Sequence, residues 1–256
     1  MRSGNIGAWT LGWTIVRSPS AGAEKARPKE ALPASARVYA AFLILYALFF
    51  WLKPFDFPDP NVGVPRETQG LTFWLKVMCF QPLLEAAWVV FLLGMARWFG
   101  EGRLAFRLIV GTFWTAAPFI LLVLYHGSQM PKWAFAAGAA LWLASYALVI
   151  KREDAGPLRE LLSFMLALNA VGIALLVPMT LLTAMRSKEL FMLTQGLGGI
   201  WLLGAGALGV RQLTGLRMSR AFLAMLLSMF MQIAFTFTLH MLGIVPKEIL
   251  KALVYA

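Results

Sequence analysis

Cysteine and histidine are scarce in this chain. Its 256 residues include one cysteine, Cys79, and two histidines, His126 and His240. A single cysteine excludes an internal disulfide and a cluster of cysteine metal ligands. Two histidines supply fewer ligands than a protein zinc site uses. The sequence therefore predicts no metal site, and we expect no cofactor.

Acidic residues are also few, because 12 carboxylates stand against 23 lysines and arginines, a net charge of +11. The cations lie in short segments between long apolar runs, a pattern typical of membrane-protein loops and not of a nucleic-acid surface. We find no Ser/His/Asp set, metal-binding motif or nucleotide-binding loop at a recognisable spacing. We therefore predict that the protein is not an enzyme and binds no nucleic acid.

Apolar residues are abundant. They make up 60% of the chain, with a mean hydropathy of +0.72, whereas soluble domains are ~45–50% apolar. A helix that crosses a bilayer needs ~20 such residues, with its backbone hydrogen bonds closed internally. Ten tryptophans and five tyrosines suit the two membrane interfaces. The predicted fold class is all-α, a polytopic transmembrane helical bundle.

Seven apolar segments indicate about seven spans. They cover residues 38–52, 71–96, 108–125, 133–150, 161–185, 190–210 and 221–245. The first is short, so it is either thin or extended back towards Pro33. Residues 1–36 form a polar, basic head, and residues 37–256 form the transmembrane domain.

The distribution of cations between the spans predicts the orientation. Each segment predicted to lie inside has at least three lysines or arginines, and each outside segment has at most two. The inside cations are Arg2, Arg17, Lys25, Arg27, Lys29 and Arg37; Arg97, Arg103 and Arg107; Lys151, Arg152 and Arg159; and Arg211, Arg217 and Arg220. Positive loops stay in the cytoplasm, so we expect a cytoplasmic N-terminus and an external C-terminus.

The head contains a short amphipathic pattern. Ile6, Trp9, Trp13 and Val16 share one face of a helix, which predicts an interfacial helix on the cytoplasmic surface. The alternative is a signal peptide with a short apolar core at 8–16. Residues 18–35 contain three prolines and are interpreted as a linker.

Glu85 is the sharpest polar feature within a span. It lies ~21 Å along its helix from Leu71, near the middle of the bilayer. A charged side chain there costs ~2.5–3.5 kcal/mol on insertion scales, so Glu85 must face other helices, find partners or stay protonated. Gln81 lies one turn earlier on the same face. An ion or proton site and a hydrogen-bonded structural carboxyl group both remain open.

The seventh span carries a polar stripe at four-residue spacing, composed of Ser228, Gln232, Thr236 and His240. Asn169 lies near the middle of the fifth span. We predict that Glu85, Asn169 and Gln232 meet in one layer. This layer is either a translocation path or a set of interhelical hydrogen bonds, each worth ~0.6 kcal/mol on average.

The sixth span is rich in glycine. Gly199 and Gly206 are seven residues apart and share a face, which predicts close helix packing. A phosphate-binding loop is rejected, because the glycines follow no strand and no Gly-Lys-Ser/Thr sequence follows them.

Four segments carry a resemblance to a known family. They are Ile15-Val16-Arg17-Ser18-Pro19; Ala96-Arg97-Trp98-Phe99-Gly100-Glu101-Gly102 with Phe106-Arg107; Thr115-Ala116-Ala117-Pro118; and Gly199-Ile200-Trp201 with Gly209, Arg211, Leu213-Thr214-Gly215-Leu216 and Arg220-Ala221. Together they resemble bacterial Yip-domain membrane proteins. The resemblance implies a helical bundle in a bacterial inner membrane with a cytoplasmic N-terminus. Eukaryotic relatives act in vesicle traffic and contact Rab-type GTPases. This chain lacks their Asp-Leu-Tyr-Gly-Pro motif, so we do not expect GTPase binding.

Two functional hypotheses follow. The first is a non-enzymatic membrane protein that organises membrane lipids or partner proteins, which include further copies of itself. The alternative is a small ion-coupled transporter or channel that uses Gln81, Glu85, Asn169 and Gln232.

Overall fold

The computed structural model describes residues 7–54, 56–58, 70–128 and 130–255, and this part of the chain is helical without a strand. The head forms two short helices, α1 (Ala8–Arg17) and α2 (Pro19–Ala26). The helices that follow are α3 (Ala31–Leu52), α4 (Leu71–Gly100), α5 (Leu104–Gly127), α6 (Lys132–Ala144), α7 (Ala155–Leu168), α8 (Ala170–Ala184), α9 (Lys188–Thr214), α10 (Met218–Met241) and α11 (Lys247–Tyr255). The all-α prediction is confirmed for these residues.

Six of the described stretches are long and apolar enough to cross a membrane. They are α3, α4, α5, the α7–α8 pair, α9 and α10. The predicted fourth span, residues 133–150, differs from them. It consists of the 13-residue helix α6 and a 3₁₀ turn at Ser145–Leu148. Thirteen helical residues rise ~20 Å, which is less than the ~30 Å hydrocarbon core.

Helix α6 nevertheless runs back along α5. The rings of Tyr125 and Phe135 lie 4.7 Å apart near the end of α5, and Trp142 donates a hydrogen bond to the Trp114 carbonyl at 3.2 Å. Beyond the turn, Asp154 forms an ion pair with Arg97, in the last turn of α4. The chain therefore returns from the far end of α5 to the level at which α4 ends.

The spanning helices differ in how much they are covered by protein. In α4 and α10, 56% of the apolar window is buried, compared with 22% in α5 and 28% in α9. Trp88 of α4 donates a hydrogen bond to Ser228 of α10 at 3.0 Å. The centre of the bundle is therefore the α4–α10 pair, while α5 and α9 turn most of their apolar side chains outward, as a lipid-facing helix does.

The head packs more closely than the sequence suggests. Leu11 and Ile15 of α1 are fully buried, while Trp9 and Trp13 are exposed. The predicted Trp9–Trp13 face is therefore the outward face of α1, and Ile6 lies outside the described residues. Exposed aromatic side chains that project outward in this way suit a membrane interface.

The predicted linker at 18–35 is wrong for residues 19–26 and 31–35, which are helical, while residues 27–30 form the turn between α2 and α3. Pro19 occupies the first turn of α2, where its missing N–H costs no hydrogen bond, and Ala23 and Ala26 are fully buried. An added Cβ at Gly22 would overlap Ile15 of α1, so this glycine permits the close packing of α1 and α2. Helix α3 begins at Ala31, which confirms the extended alternative for the first span.

The segments predicted to lie inside contact one another at one end of the bundle. Arg27 of the head donates a hydrogen bond to the Gln212 carbonyl at 3.1 Å, and Arg220 donates to the carbonyls of Phe99 and Gly102 at 2.7 Å each. At the opposite end, Arg186 pairs with Asp56 at 3.0 Å. Loops expected on the same membrane face therefore lie together.

Candidate intramembrane polar site and lipid-facing groove

Glu85 lies in the middle of α4 with only 6% of its surface exposed. The side chain of Asn169 lies within hydrogen-bonding reach of its carboxyl group. Tyr39 of α3 lies within electrostatic range of the same group. We call Tyr39, Glu85 and Asn169 the Glu85 cluster. The predicted association of Glu85 with Asn169 is therefore present in the structure.

Two oxygen atoms of this cluster have no hydrogen-bond partner. They are Glu85 Oε1 and the Tyr39 hydroxyl, and Tyr39 is as deeply buried as Glu85. Leaving a buried polar atom unsatisfied costs ~1–3 kcal/mol. Such atoms are rare in folded proteins and call for a specific explanation.

Asn169 occupies the break between α7 and α8. Its Nδ2 donates a hydrogen bond to the Met165 carbonyl at 3.0 Å. Asparagine side chains compete with the backbone for hydrogen bonds and so favour helix ends. The residue therefore both interrupts the helix and brings an amide group to Glu85.

A buried serine pair flanks the cluster. Ser35 of α3 and Ser163 of α7 are hydrogen-bonded to each other at 2.9 Å, and Ser35 lies one turn before Tyr39. Our sequence reasoning missed Tyr39, Ser35 and Ser163. The four-residue spacing of Ser35 and Tyr39 is the signal that places both on one face of α3, but Ser35 fell within the supposed linker.

Gln81 and Gln232 occupy a different place. They line a cleft of about 310 Å³ with Leu84, Thr236 and Leu253, which we call the Gln81–Gln232 cleft. The structure therefore sorts the predicted layer into two groups, Glu85 with Asn169 and Gln81 with Gln232. Helix α4 contacts α3 and α7 as well as α10, and Glu85 is buried whereas Gln81 is half-exposed at the cleft.

In the rest of the polar stripe on α10, Ser228 accepts a hydrogen bond from Trp88 of α4, while Thr236 and His240 make local hydrogen bonds. Thr236 donates to the Gln232 carbonyl at 2.9 Å. Nδ1 of His240 lies 2.8 Å from the Val245 carbonyl, to which it donates. His126 is exposed beside the ring of Tyr125. Within the described ranges, no three potential metal-ligating side chains of the His, Cys, Asp or Glu type lie together.

The glycines of α9 divide into two faces. An added Cβ at Gly206 would overlap Met225 of α10, and one at Gly209 would overlap the ring of Phe164 of α7. At Gly199 a Cβ would enter open space. Gly206 therefore packs against α10, whereas at Gly199 no described part of the chain approaches, and Gly198 is the neighbour that turns inward against Leu175.

An apolar groove runs between α3 and α8 on the outside of the bundle. One part, of about 600 Å³, lies beneath α1 and is lined by Trp9, Trp13 and Arg37 among others. The other, of about 940 Å³, reaches Lys53 and Arg186. Both parts share Ile173 and Val177, so they form one α3–α8 groove.

No protein-family model, curated protein or solved structure matches this chain.

Proposed function

We propose that this chain is a non-enzymatic integral membrane protein of Yip-like type that organises membrane lipids. The observation that carries the proposal is the α3–α8 groove with cations at both of its ends. Six spanning helices support membrane integration itself. We place the protein in a bacterial inner membrane with its N-terminus in the cytoplasm.

The dimensions of the groove support lipid binding. From Arg37 to Lys53 the groove follows α3 for ~24 Å at 1.5 Å per residue, close to the ~30 Å thickness of the hydrocarbon core. Its walls between these residues are apolar. Acyl chains therefore fit along the walls, and anionic headgroups lie near Arg37 at one end and Lys53 or Arg186 at the other.

Lipid mass spectrometry of the purified protein tests this proposal. We expect anionic phospholipid to be retained through gentle detergent exchange, and Arg37→Gln to lose a large part of it. Arg103→Gln is the matched control, because Arg103 is an exposed arginine outside the groove. Equal lipid retention by both variants would refute a headgroup site at Arg37.

We further propose seven membrane crossings, with α6 and its 3₁₀ turn as the fourth. The return of the chain from Tyr125 to the Arg97–Asp154 ion pair supports this. So do the contacts that collect the cationic loops at one end. The Yip-like assignment is supported by the contact of Arg220 with the turn at Phe99 and Gly102, since two of the resembling segments meet there.

Labelling of single cysteines tests the crossings in a Cys79→Ala background. An impermeant thiol reagent added outside the cell should label Ser128→Cys and leave Arg103→Cys, Glu153→Cys and Arg217→Cys unlabelled. Ready labelling of Glu153→Cys together with Ser128→Cys would show that α6 does not cross. Labelling of Arg103→Cys from outside would invert the orientation.

A second candidate function is ion-coupled transport or conduction at Glu85. The unpartnered Glu85 Oε1 beside the helix break at Asn169 favours it, because intramembrane carboxyl groups and broken helices mark ion pathways. Flux measured in proteoliposomes tests this. Glu85→Gln should abolish a cation-dependent flux of the wild type, and wild-type vesicles without any such flux would reject the function.

A further inference from the structure

We propose that the Glu85 cluster binds one monovalent alkali cation, with the Glu85 carboxylate, the Tyr39 hydroxyl oxygen and the Asn169 side-chain oxygen as candidate ligands. The inference rests on the second candidate function for the location of the site. It is a statement about binding, so it is tested without any measurement of transport.

The donor set is the first argument. Three different structural elements, α3, α4 and the α7–α8 break, each bring an oxygen-bearing side chain to one place. Glu85 and Tyr39 are more than nine-tenths buried, and each has an oxygen without a hydrogen-bond partner. Oxygen atoms of carboxylate, amide and hydroxyl groups are the ligands that hard cations prefer.

A proton satisfies these atoms less well than a cation does. A proton on Glu85 Oε1 would turn that atom into a donor, yet it has no acceptor within hydrogen-bonding distance. The Tyr39 hydroxyl would still lack a hydrogen-bond partner. A cation bound to both oxygens would remove both unsatisfied atoms at once, which is why we favour a cation.

The charge of the site selects a monovalent ion. Among the described residues, the buried carboxylates are Glu85 and Asp154, and Asp154 is already paired with Arg97 at the end of the bundle. No lysine or arginine of the described residues is buried beside Glu85. One monovalent cation neutralises a single carboxylate, whereas a divalent ion would leave an uncompensated buried charge, which is expensive.

The helix break adds a further favourable feature. Helix α7 ends at Asn169, and the C-terminus of a helix carries a partial negative charge. In discontinuous membrane helices, such half-helix ends coordinate sodium ions or protons. The end of α7 therefore stabilises a cation at this position.

Binding of ²²Na⁺ to the purified full-length protein tests the proposal, with choline chloride holding the ionic strength constant and K⁺ as competitor. We expect one saturable site per wild-type chain and its loss in Glu85→Gln. Tyr39→Phe removes only the hydroxyl and should weaken binding by about tenfold, equal to ~1.4 kcal/mol. Glu101→Gln, which alters an exposed carboxylate between α4 and α5, should bind as the wild type does.

Several results would overturn the proposal. They are a folded wild type without saturable Na⁺ or K⁺ binding, unchanged binding in Glu85→Gln, or equal loss in Glu101→Gln. If Glu85→Gln does not fold, unchanged affinity in Tyr39→Phe would overturn the donor set. Saturable binding that depends on Glu85, without flux in proteoliposomes, would support the cation site and reject the transport function.

Discussion

The Glu85 cluster and the Gln81–Gln232 cleft are both polar places within long apolar helices, and they differ in their surroundings. Glu85 is buried and has an oxygen without a partner. Gln81 and Gln232 are half-exposed at an open cleft, and Thr236 there bonds to its own helix. The two places show that a polar residue in a span becomes a candidate site through its burial and its neighbours, and less through its chemical type.

The largest predicted effect concerns the helix packing behind the Glu85 cluster. Gly209→Ala would force a Cβ into the ring of the fully buried Phe164. Phe164 lies on α7, the helix that ends at Asn169. Overpacking costs ~1–3 kcal/mol, and we expect the upper end, about 3 kcal/mol, because the ring has no free side. SDS-titration unfolding in mixed micelles measures this loss.

Gly199→Ala is the matched control for that substitution. Its Cβ would meet open space on the same helix, and alanine stabilises a helix relative to glycine. We therefore expect no loss of stability. A similar loss in both variants would show that the α9 glycines act through the helix backbone and not through contact with Phe164.

The second effect separates the two polar places directly. Glu85→Leu leaves the Asn169 amide without its carboxyl partner, and we expect a loss of about 2 kcal/mol. Glu85→Gln should keep most of the stability, since an amide still accepts and donates hydrogen bonds. The same SDS titration compares the variants, and wild-type stability in Glu85→Leu would show that Glu85 is not packed between helices.

The smallest effect is predicted for the Gln81–Gln232 cleft. Gln232→Leu should cost only about 0.6 kcal/mol, the average contribution of an interhelical hydrogen bond within a membrane. Its half-exposed position at the cleft means that the substitution leaves no buried polar atom unsatisfied. A loss as large as that of Glu85→Leu would erase the distinction between the two places.

Much of the architecture could be predicted, because a long apolar segment is stable in few environments other than a bilayer, which it crosses as a helix. The α4, α5, α9 and α10 helices lie close to their predicted positions. Predictions failed where tertiary contacts decided the outcome. Pro19 suggested a linker, yet α2 is helical because its small residues pack on α1. Residues 133–150 were predicted as the fourth span, and within them the α-helix ends at Ala144 and a 3₁₀ turn follows.

The candidate site was predictable only in part, and for a related reason. Glu85 stood out because an ionisable group in hydrocarbon is costly wherever it points. Tyr39 did not stand out, because a tyrosine in a span is ordinary until its hydroxyl is found buried without a partner. Gln232 lines the cleft with Gln81, a pairing that the spacing along α10 does not indicate.

By itself, the sequence determined that this chain is helical and built for a membrane, since its apolar content cannot be hidden from water in any other way. It also determined that Glu85 lies near the middle of α4, because helical rise sets position along a span. The tertiary structure alone decided that Tyr39 accompanies Glu85, that α1 covers one end of the α3–α8 groove, and that Gly209, not Gly199, is a contact point. These facts depend on the rotation and pairing of helices, which the contacts of the whole bundle set together.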